Sequence, residues 1–233
     1  YEQLEKSFQE LFKDRSREGR KLAQKLLSVY LNLLMAYPDQ PYGHQPVLHP
    51  VTREPLVVPQ SSGAPDEETE KDRRALEIIR AKVSAGERVL LYVNWVRLDS
   101  RTRLKRLLTE SGIRAEIMED TVPPRKREEW VENHLQQGMQ VMITNPNLVE
   151  TGLDLNSFTA LVFYDIAFKL FTFRQASRRS WRINQTAPRV EVYILYYRDT
   201  MQERAVRLMA SKLAVAGVIE GGVLTDEGLA AMS

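Results

Sequence analysis

The sequence contains no cysteine among its 233 residues and only three histidines. The lack of cysteine excludes disulfides, thiol catalysis and cysteine-ligated metal sites, and it is typical of an intracellular protein. His44 and His49 lie in a proline-rich segment, whereas His134 lies in a charged helical pattern. We therefore expect a solvated or half-buried His134 and no structural metal.

Long apolar runs are also lacking. The most apolar stretch, residues 22–37, is interrupted by Lys25 and is shorter than the roughly 20 residues that a membrane-spanning helix needs. The sequence begins with Tyr1 rather than Met, and no signal peptide stands before it. We therefore expect a cytoplasmic protein without a membrane segment, and a piece excised from a longer one.

A GxxxxGK[ST] loop, which cradles nucleotide phosphates, is absent from the sequence. No acidic pair at the end of a predicted strand indicates a magnesium-binding partner for such a loop. These two absences predict that the chain alone binds and hydrolyses nucleoside triphosphates poorly.

Charge is balanced overall, with 33 basic and 31 acidic residues, so bulk charge gives only a weak argument for nucleic-acid binding. Between Ile166 and Val190, however, no acidic residue occurs. The basic residues there are Lys169, Arg174, Arg178, Arg179, Arg182 and Arg189. This local excess predicts a concentrated anion site, and a solvated basic helix face is the alternative.

Hydrophobic periodicity predicts alternating helices and strands from residue 66 onward. The predicted strands cover residues 88–94, 113–118, 140–144, 160–165 and 190–197. The predicted helices cover residues 67–85, 100–111, 123–137, 171–181 and 200–216, with a short terminal helix beyond. Apolar strands that alternate with helices indicate an α/β fold with a parallel sheet covered on both faces.

The N-terminal third differs in character. Residues 2–36 keep helical spacing, with Gly19 as a possible break between two helices. Seven of the 11 prolines lie in residues 38–65, which predicts an extended or partly disordered connection. We therefore divide the chain into a helical extension (1–37), a proline-rich linker (38–66) and an α/β lobe (67–233).

Ligands of such sheets bind beyond the carboxyl ends of the strands. Asn94, Thr144 and Asp165 each lie at the end of a predicted strand, so we expect them at one edge, with Asp165 in a structural role. The basic residues of the helix 100–111 are Arg101, Arg103, Lys105 and Arg106. They predict either a contact with a phosphate backbone or a solvated outer face.

On the helix 171–181 and just beyond it, Gln175, Arg179 and Arg182 fall at i, i+4 and i+7 and share one face. Guanidinium groups bind phosphate oxygens in a bidentate fashion. This face is therefore predicted to receive a polyphosphate.

Three motifs resemble those of superfamily-two helicases and translocases. QASRRSWRINQ (175–185) is similar to their sixth motif, QAxDRxHRIGQ. TNP (144–146) with GLDL (152–155) is similar to the fifth motif, and RVLLYVNW (88–95) resembles the fourth. The chain thus resembles the second RecA-like lobe of this superfamily, and most of all its Swi/Snf-type branch.

The resemblance implies ATP and Mg²⁺ as cofactors, held mainly by a first RecA-like lobe that is absent from this chain. Arg179 and Arg182 are implied as arginine fingers, with Gly152, Asp154 and Gln175 near the nucleotide. The implied contacts with nucleic acid come from Asn94, Trp95, Thr144 and Asn145. DNA is the implied nucleic acid, while an RNA helicase lobe and a non-catalytic nucleic-acid-binding module are the alternatives.

Arg178, Trp181 and Asn184 stand where the family has Asp, His and Gly. These departures favour a bacterial or mobile-element member over a histone-directed remodeller. Trp95 follows a predicted strand and is the best candidate to stack on a base, whereas Trp130 and Trp181 are expected to pack against the protein.

Overall fold

The computed structural model describes residues 1–94, 100–149, 153, 155–165 and 189–219. The chain forms two compact units. One comprises Tyr1–Glu67 and Tyr197–Gln202, and the other comprises Glu68–Tyr196 and Glu203–Ser233. The division into extension, linker and lobe stays a prediction.

The first unit begins with two helices, α1 (Glu2–Leu11) and α2 (Arg17–Ala36). Gly19 does not separate them, so that prediction is wrong. The break precedes Ser16, whose side chain caps α2 by accepting a hydrogen bond from Gly19 N at 2.9 Å. Gly19 instead gives room to the Asp14 side chain, because a Cβ at this position would lie 2.3 Å from Asp14 Cγ.

The proline-rich segment contains an antiparallel pair of short strands, β1 (Val47–Leu48) and β2 (Pro55–Val57). The hydroxyl of Tyr37 donates to the carbonyl of Gln60 at 2.7 Å, which fastens the segment to the end of α2. The expected extended or partly disordered connection therefore carries a small hairpin.

Residues Tyr197–Gln202 also belong to this first unit, and Gln202 contributes a buried amide. Gln202 is 1% exposed, and its Nε2 donates to the carbonyl of Met35 at 2.7 Å and to Asp39 Oδ2 at 2.8 Å. Its Oε1 accepts from Tyr197 N at 3.1 Å. The amide thus has partners on both sides, as burial of a polar group requires.

The second unit holds a five-stranded, all-parallel sheet in the order β4-β5-β3-β6-β7. Its strands are β3 (Val89–Tyr92), β4 (Ala115–Met118), β5 (Val141–Thr144), β6 (Ala160–Phe163) and β7 (Glu191–Ile194). Its helices are α3 (Glu70–Ser84), α4 (Ser100–Glu110), α5 (Arg127–Gln136) and α6 (Met201–Ile219), the last starting within the first unit. Short 3₁₀ turns cover Pro124–Lys126 and Pro146–Val149. The predicted α/β fold with a parallel sheet is confirmed.

Side chains of the central strands alternate between two cores. Val89 and Leu91 of β3 pack with α3 and α4 on one face. Leu90 and Tyr92 pack on the other face with α5 and with Val149, Leu153, Leu155 and Phe158. Every residue of β3, β5 and β6 is buried, which explains their continuously apolar sequences. β7 lies at the sheet edge, and there Val192 is 42% exposed.

Candidate functional site

The sheet order places β5, β3 and β6 side by side, so their carboxyl ends form one edge. Thr144 ends β5 and Asn145 follows it, while Asn94 follows β3 and Asp165 follows β6. The structure therefore brings together the strand-end residues that the sequence placed at one edge.

Asn94 and Asp165 are joined by three hydrogen bonds. Asp165 Oδ1 accepts from the backbone N of Asn94 at 2.6 Å and from its Nδ2 at 2.8 Å. The same Nδ2 donates to the backbone carbonyl of Asp165 at 2.9 Å. Since Asp165 is only 1% exposed, these bonds are shielded from water and fix the two strand ends to each other.

Asn145 extends this connection to the next strand. Its Nδ2 donates to the carbonyl of Asn94 at 3.0 Å, and its Oδ1 accepts from Asn147 N at 2.9 Å. A continuous path of hydrogen bonds thus runs from Asp165 through Asn94 to Asn145. This path orders the edge on which a ligand of a parallel sheet is expected.

The side chain of Thr144 bonds to a different part of the sheet. Its side chain is fully buried, and its hydroxyl donates to the carbonyl of Met118 at 3.3 Å. The hydroxyl therefore bonds within the sheet, toward the end of β4. The predicted contact of Thr144 with nucleic acid stays a prediction.

Arg127 also shapes this edge, although it was not among the predicted site residues. It is 8% exposed, and its Nε donates to the carbonyl of Val122 at 3.1 Å. Its Nη1 donates to the carbonyl of Leu148 at 2.7 Å. The guanidinium thus ties the loop after β4 to the turn after β5.

A buried polar cluster lies between β6, α3 and α4. Asp72 is fully buried, and its Oδ2 accepts from Thr69 N at 2.8 Å and from Arg103 Nε at 3.0 Å. Its Oδ1 accepts from the hydroxyl of Tyr164 at 2.8 Å. Lys71 Nζ lies 5.2 Å from the centroid of the Tyr164 ring. The carboxylate therefore compensates a buried guanidinium and also closes the N-terminal capping box of α3.

The basic residues of α4 form no free cationic surface. Arg101 and Arg103 are 8% and 5% exposed, which excludes both the phosphate contact and the solvated face for these two. Lys105 pairs with Glu116 at 2.6 Å. Arg106 pairs with Glu110 at 2.9 Å. Arg103 and Lys105 have acidic partners on other elements, Asp72 and Glu116, whereas Glu110 pairs with Arg106 at i+4 within α4.

His134 is half-buried, as predicted. Its ring stacks on Trp130 with centroids 3.9 Å apart, and its Nδ1 donates to the Trp130 carbonyl at 2.7 Å. Trp130 packs against the core on the α5 face of the sheet, which matches the expected packing role.

A cluster of charged side chains at the start of β7 joins this strand to α3. Hydrogen bonds from Lys82 and Tyr193 hold the pKa of the Glu191 carboxyl below its ordinary value, and the charge of Arg189 adds to the effect. The same contact with Glu191 raises the pKa of Lys82. Burial raises the pKa of the Tyr193 hydroxyl.

The remaining predicted site residues lie outside the described residues. They are Trp95, Gly152, Asp154, Gln175, Arg179 and Arg182. Their assignments stay predictions. Within the described ranges, the helices include none that is long and apolar enough to cross a membrane.

The parallel five-stranded sheet, covered on both faces and with a polar carboxyl edge, defines a RecA-like lobe. Residues 70–184 match the family described as helicase conserved C-terminal domain. The chain carries a helicase C-terminal domain, and it is distantly related to helicases of the Swi/Snf type.

Three proteins illustrate the relationship. The ATP-dependent helicase fft1 of Schizosaccharomyces pombe is 24% identical over 166 residues, covering 70% of this chain and 17% of the relative. The chromodomain-helicase-DNA-binding protein 1-like of Mus musculus is 30% identical over 143 residues, covering 61% and 16%. The crystal structure of the C-terminal part of the Fun30 ATPase domain shares the fold, with a TM-score of 0.55 and 16% identity over 70% of this chain and 48% of that chain.

The chain spans about a sixth of the length of these curated relatives. They come from fission yeast and mouse and leave the source of this chain undetermined, so a bacterial or mobile-element origin stays a prediction.

Proposed function

We propose that this chain is the C-terminal lobe of an ATP-dependent helicase or translocase that acts on DNA. The match of residues 70–184 to the helicase C-terminal domain carries the proposal. It is supported by relatives named as ATP-dependent helicases. The ordered carboxyl edge around Asn94, Asn145 and Asp165 supports it further. A cytoplasmic location is part of the same proposal.

The residues present fit one half of a site for ATP and Mg²⁺. The chain has no GxxxxGK[ST] loop, and the described polar groups at the edge bond to one another. A first lobe would therefore hold the phosphates and the metal, and ATP supplies the phosphoryl group when it is bound. From this lobe, Arg179 and Arg182 would place guanidinium groups against the developing charge, with Gly152, Asp154 and Gln175 beside the nucleotide.

The nucleic acid would bind along the same carboxyl edge of the sheet. Asn94, Trp95, Thr144 and Asn145 would contact the DNA backbone or a base, and closure of two lobes would shift the chain along the strand. The hydrogen bonds among Asn94, Asn145 and Asp165 support this assignment, because preorganised groups bind with less loss of conformational freedom.

The deciding experiment uses a protein that carries this lobe and a first lobe. Arg182→Ala is expected to lower DNA-stimulated ATP hydrolysis by about 10³-fold or more, as loss of an arginine finger does. Arg74→Ala is the matched control, since Arg74 is an exposed partner of Glu77 outside the predicted anion site and the variant should keep its turnover. Wild-type turnover in Arg182→Ala would disprove the finger assignment. This chain alone is expected to have no useful ATPase activity.

One observation favours a second candidate, a non-catalytic nucleic-acid-binding module: the missing phosphate-binding loop. Such a module would bind DNA with a steep salt dependence and would ignore ATP. Hydrolysis assays of the two-lobed protein with single-stranded DNA, duplex DNA and RNA separate the candidates. Stimulation by RNA alone would indicate an RNA helicase lobe.

A further inference from the structure

The helix α2 has one buried face and one exposed face. The positions of the buried face recur every three or four residues and form a single stripe along the helix. They are Gly19, Ala23, Leu26, Tyr30, Leu33 and Leu34. The opposite face of α2 meets solvent.

This exposed face of α2 is basic. Arg17, Lys21 and Lys25 lie at i, i+4 and i+8, and all three are exposed, as is Arg20 beside them. Because an α-helix rises 1.5 Å per residue, the three cations of the row stand about 6 Å apart along the helix axis. Glu18 is the only acidic residue of α2. The face therefore carries a regular row of positive charge.

These cations differ from those of the other helices in having no acidic partner. Among the described residues, no carboxylate forms an ion pair with Arg17, Arg20, Lys21 or Lys25, although Glu18 lies three residues before Lys21. On other helices, exposed arginines pair with acids one turn away, as in Arg74–Glu77, Arg106–Glu110 and Arg207–Glu203.

The row of like charges also has an energetic consequence for the helix. Cations at i and i+4 repel each other and destabilise a helix slightly. Lys21 has one such neighbour on each side, Arg17 and Lys25. A bound anion would remove this repulsion, because it neutralises the row.

Neutral hydrogen-bonding side chains complete the exposed face, namely Gln24, Ser28 and Asn32. Arginine and lysine together with Ser, Asn and Gln are the side chains that contact phosphate oxygens in nucleic-acid complexes. A lipid surface fits less well, because an interfacial helix inserts its apolar face into the membrane. The apolar face of α2, which includes Leu26 and Tyr30, is buried in the protein.

We propose that the exposed face of α2 is a second nucleic-acid-binding surface, which contacts the phosphodiester backbone. Arg17, Lys21 and Lys25 neutralise phosphates, and the neutral side chains between them donate hydrogen bonds to phosphate oxygens. The surface lies on the first unit, whereas Asn94 and Asn145 lie on the second. The inference adds a surface to the proposed function and rests on nucleic acid as the ligand of this chain.

The combined substitution Lys21→Gln and Lys25→Gln in the whole chain tests the proposal. It removes two positive charges and keeps polar side chains. Fluorescence anisotropy with a labelled duplex DNA at several salt concentrations measures the affinity. The slope of log K against log salt should become shallower by about 2, since each phosphate contact contributes about 0.9. At about 0.1 M salt the affinity should fall roughly 10-fold or more.

Arg73→Gln combined with Arg74→Gln is the matched control. It removes the same net charge from α3, where the two arginines pair with Glu70 and Glu77, and it should leave the slope and the affinity unchanged. The lysine variant should show no loss of Tm, because the substitutions remove like-charge neighbours from α2. A loss of affinity then reports on binding and not on unfolding.

Duplex RNA and vesicles that contain phosphatidylserine are the other two probes. A shallower slope in the lysine variant with DNA or with RNA supports the surface and identifies the nucleic acid that it binds. The surface is overturned by an unchanged slope, by equal losses in the arginine control, by lysine-dependent binding to vesicles alone, or by a wild-type chain that binds neither nucleic acid. ATP hydrolysis by Arg182→Ala in the two-lobed protein involves none of these residues and decides the proposed function separately.

Discussion

Asp165 Oδ1 accepts two hydrogen bonds from Asn94, a residue 71 positions earlier in the chain, at 2.6 and 2.8 Å. One bond comes from the backbone and one from the side chain. A single carboxylate oxygen therefore fixes both the path of the chain after β3 and the orientation of the Asn94 amide. The pair therefore joins the carboxyl ends of β3 and β6, and the edge between them depends on it.

A double-mutant cycle on this pair tests that dependence. Asp165→Ala removes the acceptor of two bonds, whereas Asn94→Ala leaves the backbone donor in place. Asp165→Ala is therefore expected to lower the free energy of unfolding by about 2–3 kcal/mol and Asn94→Ala by about 1 kcal/mol. In the Asp165→Ala background, Asn94→Ala should cost much less. Urea denaturation measures all four proteins, and strictly additive losses would show that the two side chains are not coupled.

The parallel sheet could be predicted from the sequence alone, and so could the position of its strand ends at one edge. Residues 89–93, 141–143 and 160–164 are hydrophobic without interruption, and such runs indicate buried parallel strands. Asn94, Thr144 and Asp165 directly follow or end those runs, so the expectation that they share one edge required only the rule for parallel sheets.

The buried cluster of Asp72, Arg103 and Tyr164 could not be predicted from local sequence patterns. Asp72 is separated from Arg103 by 31 residues and from Tyr164 by 92. Both arginines lie on α4, yet of these two only Arg103 pairs with a buried acidic group, because its partner Asp72 lies on α3. The hairpin in the proline-rich segment was missed for a similar reason, since the segment is held by a hydrogen bond between Tyr37 and Gln60, which are 23 residues apart.

The contrast between Arg103 and Arg106 gives a stability prediction. Arg103→Ala leaves the Asp72 carboxylate buried without its cation and is expected to destabilise the protein by about 3–5 kcal/mol. Arg106→Ala on the same helix breaks an ion pair whose side chains are 40% and 57% exposed, and it should change stability by less than about 1 kcal/mol. Thermal and urea unfolding distinguish the two, and equal losses would contradict the assignment of Arg103 to the core.

The paired cations of α4 also give a prediction about DNA. Lys105 and Arg106 are neutralised by Glu116 and Glu110, so Lys105→Ala and Arg106→Ala are expected to leave DNA affinity unchanged. Each phosphate contact that is lost lowers the slope of log K against log salt by about 1. Binding measured by fluorescence anisotropy at several salt concentrations is the test. A slope reduced by about 1 in either variant would place that residue on the DNA backbone.

The contacts of Glu191 make the free energy of unfolding depend on pH, and they determine the direction of that dependence. Hydrogen bonds from Lys82 and Tyr193 lower its pKa in the folded protein from the ordinary 4.5. The unfolded chain therefore binds more protons in this range. The stabilisation is complete above about pH 4.5 and is lost as the pH falls through the lower folded value. Glu191→Gln should be less stable at neutral pH.

On acidification, Glu191→Gln should also lose less free energy of unfolding than the wild type. The two curves of stability against pH should therefore converge. Urea unfolding at a series of acidic and neutral pH values measures both curves. Glu77→Gln is the control, because its partner Arg74 is at the surface and both side chains are more than 60% exposed. A Glu191→Gln curve that runs parallel to the wild type down to low pH would show that this carboxylate does not link folding to protonation.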